Sequence, residues 1–212
     1  MKLYITPGSP YARMVRMVIL EKGLANRVEI ILAPTRQKDS PYYKINPSGR
    51  VPYLIRDDGV AMEESGLIAA YLDHIDGKPL FDWPPCNSGD AGWEPRRIDA
   101  LAHSLIDGLA VWSRELARAP NERSPTTLAH EAARAARMMD LWEATIGHPV
   151  MHAPLNLAQM LLACALGHAS RIANFAWREG HPKLAAWFDT FSKRPSDRKS
   201  TRLNSSHVAL SR

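Results

Sequence analysis

Three short clusters between residues 8 and 66 carry side chains able to do chemistry: Gly8-Ser9-Pro10-Tyr11-Ala12, Gly49-Arg50-Val51-Pro52-Tyr53-Leu54 and Glu63-Glu64-Ser65-Gly66. Proline is favoured at the first helical position and serine is a good N-cap, so Ser9 falls at the positive end of a helix, where unpaired amides favour an anion. A thiolate placed there would be stabilised. A free thiol ionises near pH 8.5, and lowering that by two units takes about 2.7 kcal/mol of preference for the charged form. A hydroxyl hydrogen bond plus the helix end is of that order. The alternative is that Ser9 only caps its own helix. In the second cluster, Pro52 starts a strand without donating to the ladder. A cis Val51–Pro52 bond would leave the Val51 N–H and C=O to a ligand's peptide group, whereas a trans proline would mark only a turn. In the third, Ser65 can cap a following helix and Glu64 is a carboxylate beside its N-terminus. Helix end and hydroxyl suit a carboxylate, and Glu64 suits an ammonium, so the pair fits a zwitterion. Simple capping is the alternative.

The elements around these clusters follow from periodicity. Lys2 to Thr6 is a short apolar run closed by Pro7-Gly8 and reads as a strand. Pro10 to Lys22 carries Met14, Val15, Val18 and Ile19 on one helical face and stops at Gly23. Val28 to Leu32 reads as a strand, Asp39 to Ile45 as a short helix, and Val51 to Arg56 with Val60 to Met62 as a hairpin about Asp57-Asp58-Gly59. Ser65 to Ile75 is helical again, giving the order βαβαββα. From Glu94 onward a helical period dominates: Ile98, Leu101, Leu105, Ile106, Leu109 and Trp112 line one face, and Thr126 to Ile146 and Lys183 to Ser192 form further helices. Leu157 to Ala176 is apolar nearly all round and reads as the central buried helix, capped by Asn156 with Gln159 reaching back. The expected division is a small α/β domain over 1–78, a linker over 79–95, an all-helical domain over 96–196, and a polar tail over 197–212.

The chain has 212 residues, 45% hydrophobic and 23% charged. No apolar run approaches the ~18–20 residues of a membrane-spanning helix. Cys86 and Cys164 are too few for a disulfide framework or a typical zinc site, and no histidine forms an HxxxH pair with an acidic third ligand, so no metal is expected. A reducing cytoplasm fits this usage. The net charge of +5 would fit a nucleic-acid partner, but Arg198, Lys199, Arg202 and Arg212 against Asp197 alone supply much of it. The rest is close to neutral, so neither nucleic acid nor membrane is expected as a partner. The segment Asp197-Arg198-Lys199-Ser200-Thr201-Arg202-Leu203-Asn204-Ser205-Ser206-His207 resembles a translated sequencing adapter. The expectation is that the biological sequence stops near Ser196 and that this end packs poorly. An ordinary polar tail is the alternative.

The three clusters, in order at the ends of a βαβαββα unit, resemble the glutathione S-transferase family over residues 1 to about 196. The pieces that carry this are Ser9-Pro10-Tyr11-Ala12-Arg13, Asn46-Pro47-Ser48-Gly49-Arg50-Val51-Pro52, and Glu64-Ser65 with its helix. The resemblance implies a thioredoxin-like N-terminal domain followed by an all-α helical bundle. It implies glutathione as co-substrate, a small hydrophobic electrophile, a detoxifying transferase activity and a homodimer with the helix beginning near Arg96-Arg97 at its interface. It assigns Ser9 to hydrogen-bond the glutathione sulfur, Val51 ahead of Pro52 to pair with the cysteinyl backbone, and Glu64 and Ser65 to hold the γ-glutamyl end. Arg50 would meet a ligand carboxylate, Tyr11 would wall the thiol site with Tyr4 as a secondary candidate, and Arg13 would make a structural ion pair. The electrophile would lie against Tyr11 and the helix with His103, Asp107 and Trp112. A glutathione-dependent isomerase, dehalogenase or ether-cleaving enzyme, or a non-catalytic interaction module, would share the site. Ser9-Pro10-Tyr11-Ala12 also looks like the CPYC motif of glutaredoxins without its cysteines, which excludes dithiol redox chemistry there. The chain departs from the family in placing Asn156 and Gln159 where Ser or Thr, then Asp, often start the buried helix.

Overall fold

A computed structural model describes residues 1–81, 83–201 and 208–210, the last three by their backbone. The chain divides into two compact units, 1–82 together with 194–212, and 83–193.

The first unit opens with β1 (Lys2–Ile5), α1 (Pro10–Glu21), β2 (Glu29–Leu32), β3 (Tyr53–Ile55), β4 (Ala61–Met62) and α2 (Ser65–His74). Alternation along β1 puts Leu3 and Ile5, both fully buried, on one face. Tyr4 sits on the other, clustered with Ile31, Ala33, Tyr42 and Tyr53. Helix α1 ends as its glycine requires. Gly23 takes φ 65°, its N–H reaches the Leu20 carbonyl at 3.2 Å, and the Leu24 N–H reaches that of Ile19 at 2.8 Å. The helix expected over Asp39 to Ile45 is a single 3-10 turn, Pro41–Lys44, opened by Ser40 accepting from the Tyr42 N–H. Pro47 keeps Asn46 from continuing it.

The second unit is helical: α3 (Asp90–Leu116), α4 (Pro125–Thr145), α5 (Pro149–His152), α6 (Leu157–Ala169) and α7 (Pro182–Phe191). Helix α3 begins at Asp90, inside the stretch expected as a linker and ahead of Arg96-Arg97. Glycine, proline and aspartate are loop-like in composition, yet Gly89 enters the helix with φ 62° and Arg96 ties the first turns by donating to the Gly92 and Pro84 carbonyls at 2.6 and 2.7 Å. Helix α6 is buried on every side, as its composition requires, but it stops at Ala169, short of Ala176. The apolar residues beyond it pack as turns: Ile172 and Trp177 are buried, the Trp177 indole donates to Ser170 Oγ at 2.9 Å, and Asn174 takes a left-handed φ of 62°. Asn156 caps α6 by accepting from the Gln159 N–H at 3.1 Å. The Gln159 carboxamide does not reach back to its cap. It donates instead to the Val150 and Ala153 carbonyls at 3.1 and 3.0 Å, holding α5 to the start of α6. Glu143 of α4 caps α7, accepting from the N–H groups of Lys183 and Leu184 at 3.1 and 2.8 Å.

The chain returns to the first unit through α8 (Pro195–Ser200) and β5 (Val208–Leu210). The sheet order is β4-β3-β1-β2-β5, with β1–β2 and β2–β5 parallel and β1–β3 and β3–β4 antiparallel. Residues 196–200 correct the expectation of a poorly packed end. Ser196, Asp197 and Ser200 are buried because each polar group has a partner. Arg13 Nη2 meets Asp197 Oδ1 at 2.6 Å, Arg13 Nε donates to Ser200 Oγ at 3.3 Å, and Ser196 donates to Glu21 at 2.5 Å. Composition alone does not reveal such pairing. Residues 202–207 and 211–212 of that tail lie outside the described residues.

Candidate functional site

Sheet register brings the three clusters to one end of the first unit. Tyr4 of β1 pairs with Tyr53 of β3, so Val51-Pro52, just ahead of β3, lies beside the exit of β1 that leads to Ser9. Leu54 of β3 pairs with Met62 of β4, so Glu64, two residues on, falls at the level of Pro52.

Ser9 is the N-cap of α1, in extended backbone with Pro10 following, and its Oγ accepts from the Ala12 N–H at 3.2 Å. Because the oxygen takes that N–H, the hydroxyl proton stays available to donate outward. Tyr11 follows on the first turn, half-buried. Arg13, one turn on, is buried against Asp197, the structural ion pair the resemblance implies. Burial pushes the Asp197 carboxyl up, against the pull of Arg13.

The Val51–Pro52 bond is cis. The Arg50 side chain is exposed. Its carbonyl is not: it accepts from the Tyr42 hydroxyl at 2.6 Å and from Asn46 Nδ2 at 3.0 Å. Asn46 Nδ2 also donates to Glu63 Oε1 at 3.1 Å, and Ser48 Oγ donates to the same oxygen. Asn46 Oδ1 accepts from the Ser48 N–H at 3.0 Å, and Ser48 Oγ from the Arg50 N–H at 3.2 Å. Burial pushes the Tyr42 hydroxyl up to about 12, so it remains a donor at neutral pH. Gly49 turns this loop at φ 65°, where a Cβ would lie 2.7 Å from the Tyr43 ring.

At α2 the cap is Glu64, not Ser65. Its carboxylate accepts from the Gly66 and Leu67 N–H groups at 2.8 and 3.3 Å, and Ser65, buried at the first helical position, donates its hydroxyl to the other oxygen at 3.2 Å. Glu64 pays for this in backbone, holding φ 72°, a left-handed conformation that costs a non-glycine residue roughly 1–3 kcal/mol. Glutamate is a weaker N-cap than serine by statistics, which is why the sequence pattern favours the wrong residue.

The sheet register thus brings Ser9, Val51, Pro52, Glu64 and Ser65 to one end of the unit, and the hydrogen-bonded set of Tyr42, Asn46 and Glu63 behind them is not among the expected site residues. Asn46-Pro47-Ser48-Gly49 reads from its residues as a turn and from the resemblance as part of a family piece, and neither shows that Asn46 is almost fully buried and bonded behind Val51.

In the helical unit, Trp112 is buried edge-on to Phe175 with ring centroids 5.0 Å apart, and His103 meets Asp99 at 3.4 Å. Asp107 lines a cleft of about 490 Å³ with Ser104, Arg134, Arg137 and Met138. The residues of the three clusters are not among its walls. His168 lies between Ser113 Oγ, at 2.8 Å from Nε2, and Arg171 Nη2, at 3.0 Å from Nδ1. Among the described residues, no group of three or more His, Cys, Asp or Glu could hold a metal ion, and no helix is long and apolar enough to cross a membrane.

A strand, a helix capped by serine, a cis-proline strand and a carboxylate-capped second helix define a thioredoxin-like domain, here followed in sequence by a helical one. The family description "Glutathione S-transferase, N-terminal domain" matches residues 3–80. A glutathione transferase family member from Pseudomonas fluorescens Pf-5, solved with bound S-(propanoic acid)-glutathione, is 31% identical with a TM-score of 0.80, over 96% of this chain and 100% of that one. A structure of a Pseudomonas fluorescens Pf-5 family member with bound glutathione gives a TM-score of 0.83 at 31% identity, over 94% and 97%. The uncharacterised GST-like protein YibF of Escherichia coli strain K12 is 28% identical over 92% of this chain and 96% of its own length. The chain belongs to the glutathione S-transferase family.

Proposed function

We propose that this protein is a glutathione transferase that ionises the thiol of glutathione at the N-terminus of α1 and directs it at a small hydrophobic electrophile. The observation that carries this is the register that sets Ser9, Val51 and Glu64-Ser65 at one end of one sheet. Two structures of one family member of similar fold hold glutathione or a glutathione conjugate. In this reading the Ser9 hydroxyl donates to the sulfur while the α1 amides favour its negative charge. The Val51 N–H and C=O pair with the cysteinyl backbone. Ser65 receives the γ-glutamyl carboxylate by turning its hydroxyl from Glu64 Oε1, and the oxygen so released faces the ammonium while Oε2 keeps the cap of α2. Tyr11 and Arg50 flank the ligand. With an aryl chloride, the sulfur forms a bond to the ring carbon, chloride leaves with the bonding pair, and the thiol proton goes to solvent. No covalent enzyme intermediate is required. The cytoplasm, where glutathione is plentiful, and a homodimer belong to the same reading, and sedimentation velocity tests the latter.

The test is the ultraviolet absorbance of glutathione thiolate in the presence of the protein, with conjugation of an aromatic chloride followed in parallel. Thiolate at neutral pH and turnover that falls in Ser9→Ala, with glutathione affinity kept within a few fold, are the expected results. An un-ionised thiol in the saturated complex would refute the mechanism.

A further inference from the structure

We propose that Tyr42, Asn46 and Glu63 form a positioning unit that aims the backbone N–H of Val51 at its ligand and couples it to the start of α2. The inference rests on the glutathione reading above and adds residues to it. A trans peptide is planar, with its C=O and N–H pointing in opposite directions. The Arg50–Val51 peptide is of this kind. Its carbonyl is held on one side by two side chains, each almost fully buried, at 2.6 and 3.0 Å. The Val51 N–H on the same plane is therefore directed away from Tyr42 and Asn46, and rotating it would break both bonds. One anchor would leave that plane free to rock, and two from different chain positions do not. The second Asn46 Nδ2 bond and the Ser48 hydroxyl run to Glu63, which directly precedes the cap of α2. The loop that would meet the cysteinyl group and the helix that would meet the γ-glutamyl group are thus tied through one carboxylate oxygen. Ser9 lies on a different element and outside this network, so the unit orients the ligand backbone without setting the ionisation of its sulfur.

Calorimetric titration of glutathione into the wild-type chain, Tyr42→Phe, Glu63→Ala and Glu63→Gln separates these roles, with the pH titration of bound thiolate read beside it. Tyr42→Phe removes one donor to the Arg50 carbonyl, and Glu63→Ala frees Asn46 and Ser48. Each is expected to weaken glutathione binding about three- to tenfold, the worth of one aligned hydrogen bond, while the ionisation of the bound thiol stays at its wild-type pH. Glu63→Gln keeps the accepting oxygen and is expected to bind as the wild type does. A partly populated competent state would also weaken apparent affinity, so urea unfolding of each variant is read beside the titration to show that it is fully folded at that temperature. Wild-type affinity in both Tyr42→Phe and Glu63→Ala, or a shift of thiol ionisation in step with affinity, would overturn the proposal and leave the functional reading standing. A wild-type chain that binds no glutathione would remove that reading and the proposal with it.

Discussion

Replacing His168 by glutamine isolates one buried titration. A guanidinium can only donate, so Arg171 Nη2, at 3.0 Å, requires an unprotonated Nδ1. The proton of the neutral ring then sits on Nε2 and points at Ser113 Oγ, 2.8 Å away. The same bond keeps His168 from acting as a base towards Ser113. Burial holds the His168 pKa down at about 4, Arg171 and Arg114 press the same way, and a backbone hydrogen bond at Leu109 opposes them. An unfolded histidine ionises near 6.5. Between these values the unfolded chain binds the extra proton, so stability is complete above about 6.5, falls as pH drops through the window, and levels off below 4. The loss between pH 7 and pH 5 amounts to about 2 kcal/mol from this group. His168→Gln keeps an N–H for Ser113 and an oxygen for Arg171 but cannot titrate. Urea unfolding of both proteins at pH 7, 6 and 5 cancels every other titrating group in the difference. The wild type is expected to lose about 2 kcal/mol relative to the variant over that range. Parallel pH profiles, or a His168 ring that titrates near 6.5 by NMR, would refute the assigned burial and tautomer.

Asp197→Ala leaves the Arg13 guanidinium buried without its carboxylate, and urea unfolding is expected to show a loss of about 3 kcal/mol. Asn156→Ala removes the cap of α6 and the tie to the Val150 carbonyl, with an expected cost of about 1–2 kcal/mol in the same measurement. Gly49→Ala places a Cβ against the Tyr43 ring at a left-handed φ, and is expected to lower both the melting temperature and glutathione affinity because it distorts the loop that carries Val51.

Much of this molecule is legible in its residues because local physics decides it. Pro10 behind Ser9, the valine and methionine face of α1, and the glycine that ends that helix all act within a few positions, and the structure follows them. The α6 cap is legible for the same reason. What escapes is settled by an unusual backbone conformation or by tertiary partners. Glu64 caps α2 because its own left-handed backbone turns the carboxylate onto the helix amides. Gln159 looks like half of a capping box but is drawn to carbonyls of α5 and the turn behind it. Beyond Ala169 only Ile172 is buried and Phe175 half-buried while Ser170, Arg171, Ala173, Asn174 and Ala176 are exposed, so α6 ends where its all-round burial ends, which an apolar count over the whole run does not mark. Asp197 and Ser200 look like solvent residues until Arg13 and Arg16 are seen across from them.

The first unit is discontinuous in sequence, and that has a consequence for its birth on the ribosome. Helix α1 is made early, yet the groups that pair with Arg13 and receive Arg16 follow the whole helical unit in sequence. Throughout translation of the intervening helices, the nascent amino-terminal half must carry two cations without their eventual counterparts. That half is therefore consolidated only once residues 197–200 have emerged, and a polypeptide stalled within the helical unit would present that basic face to chaperones and proteases.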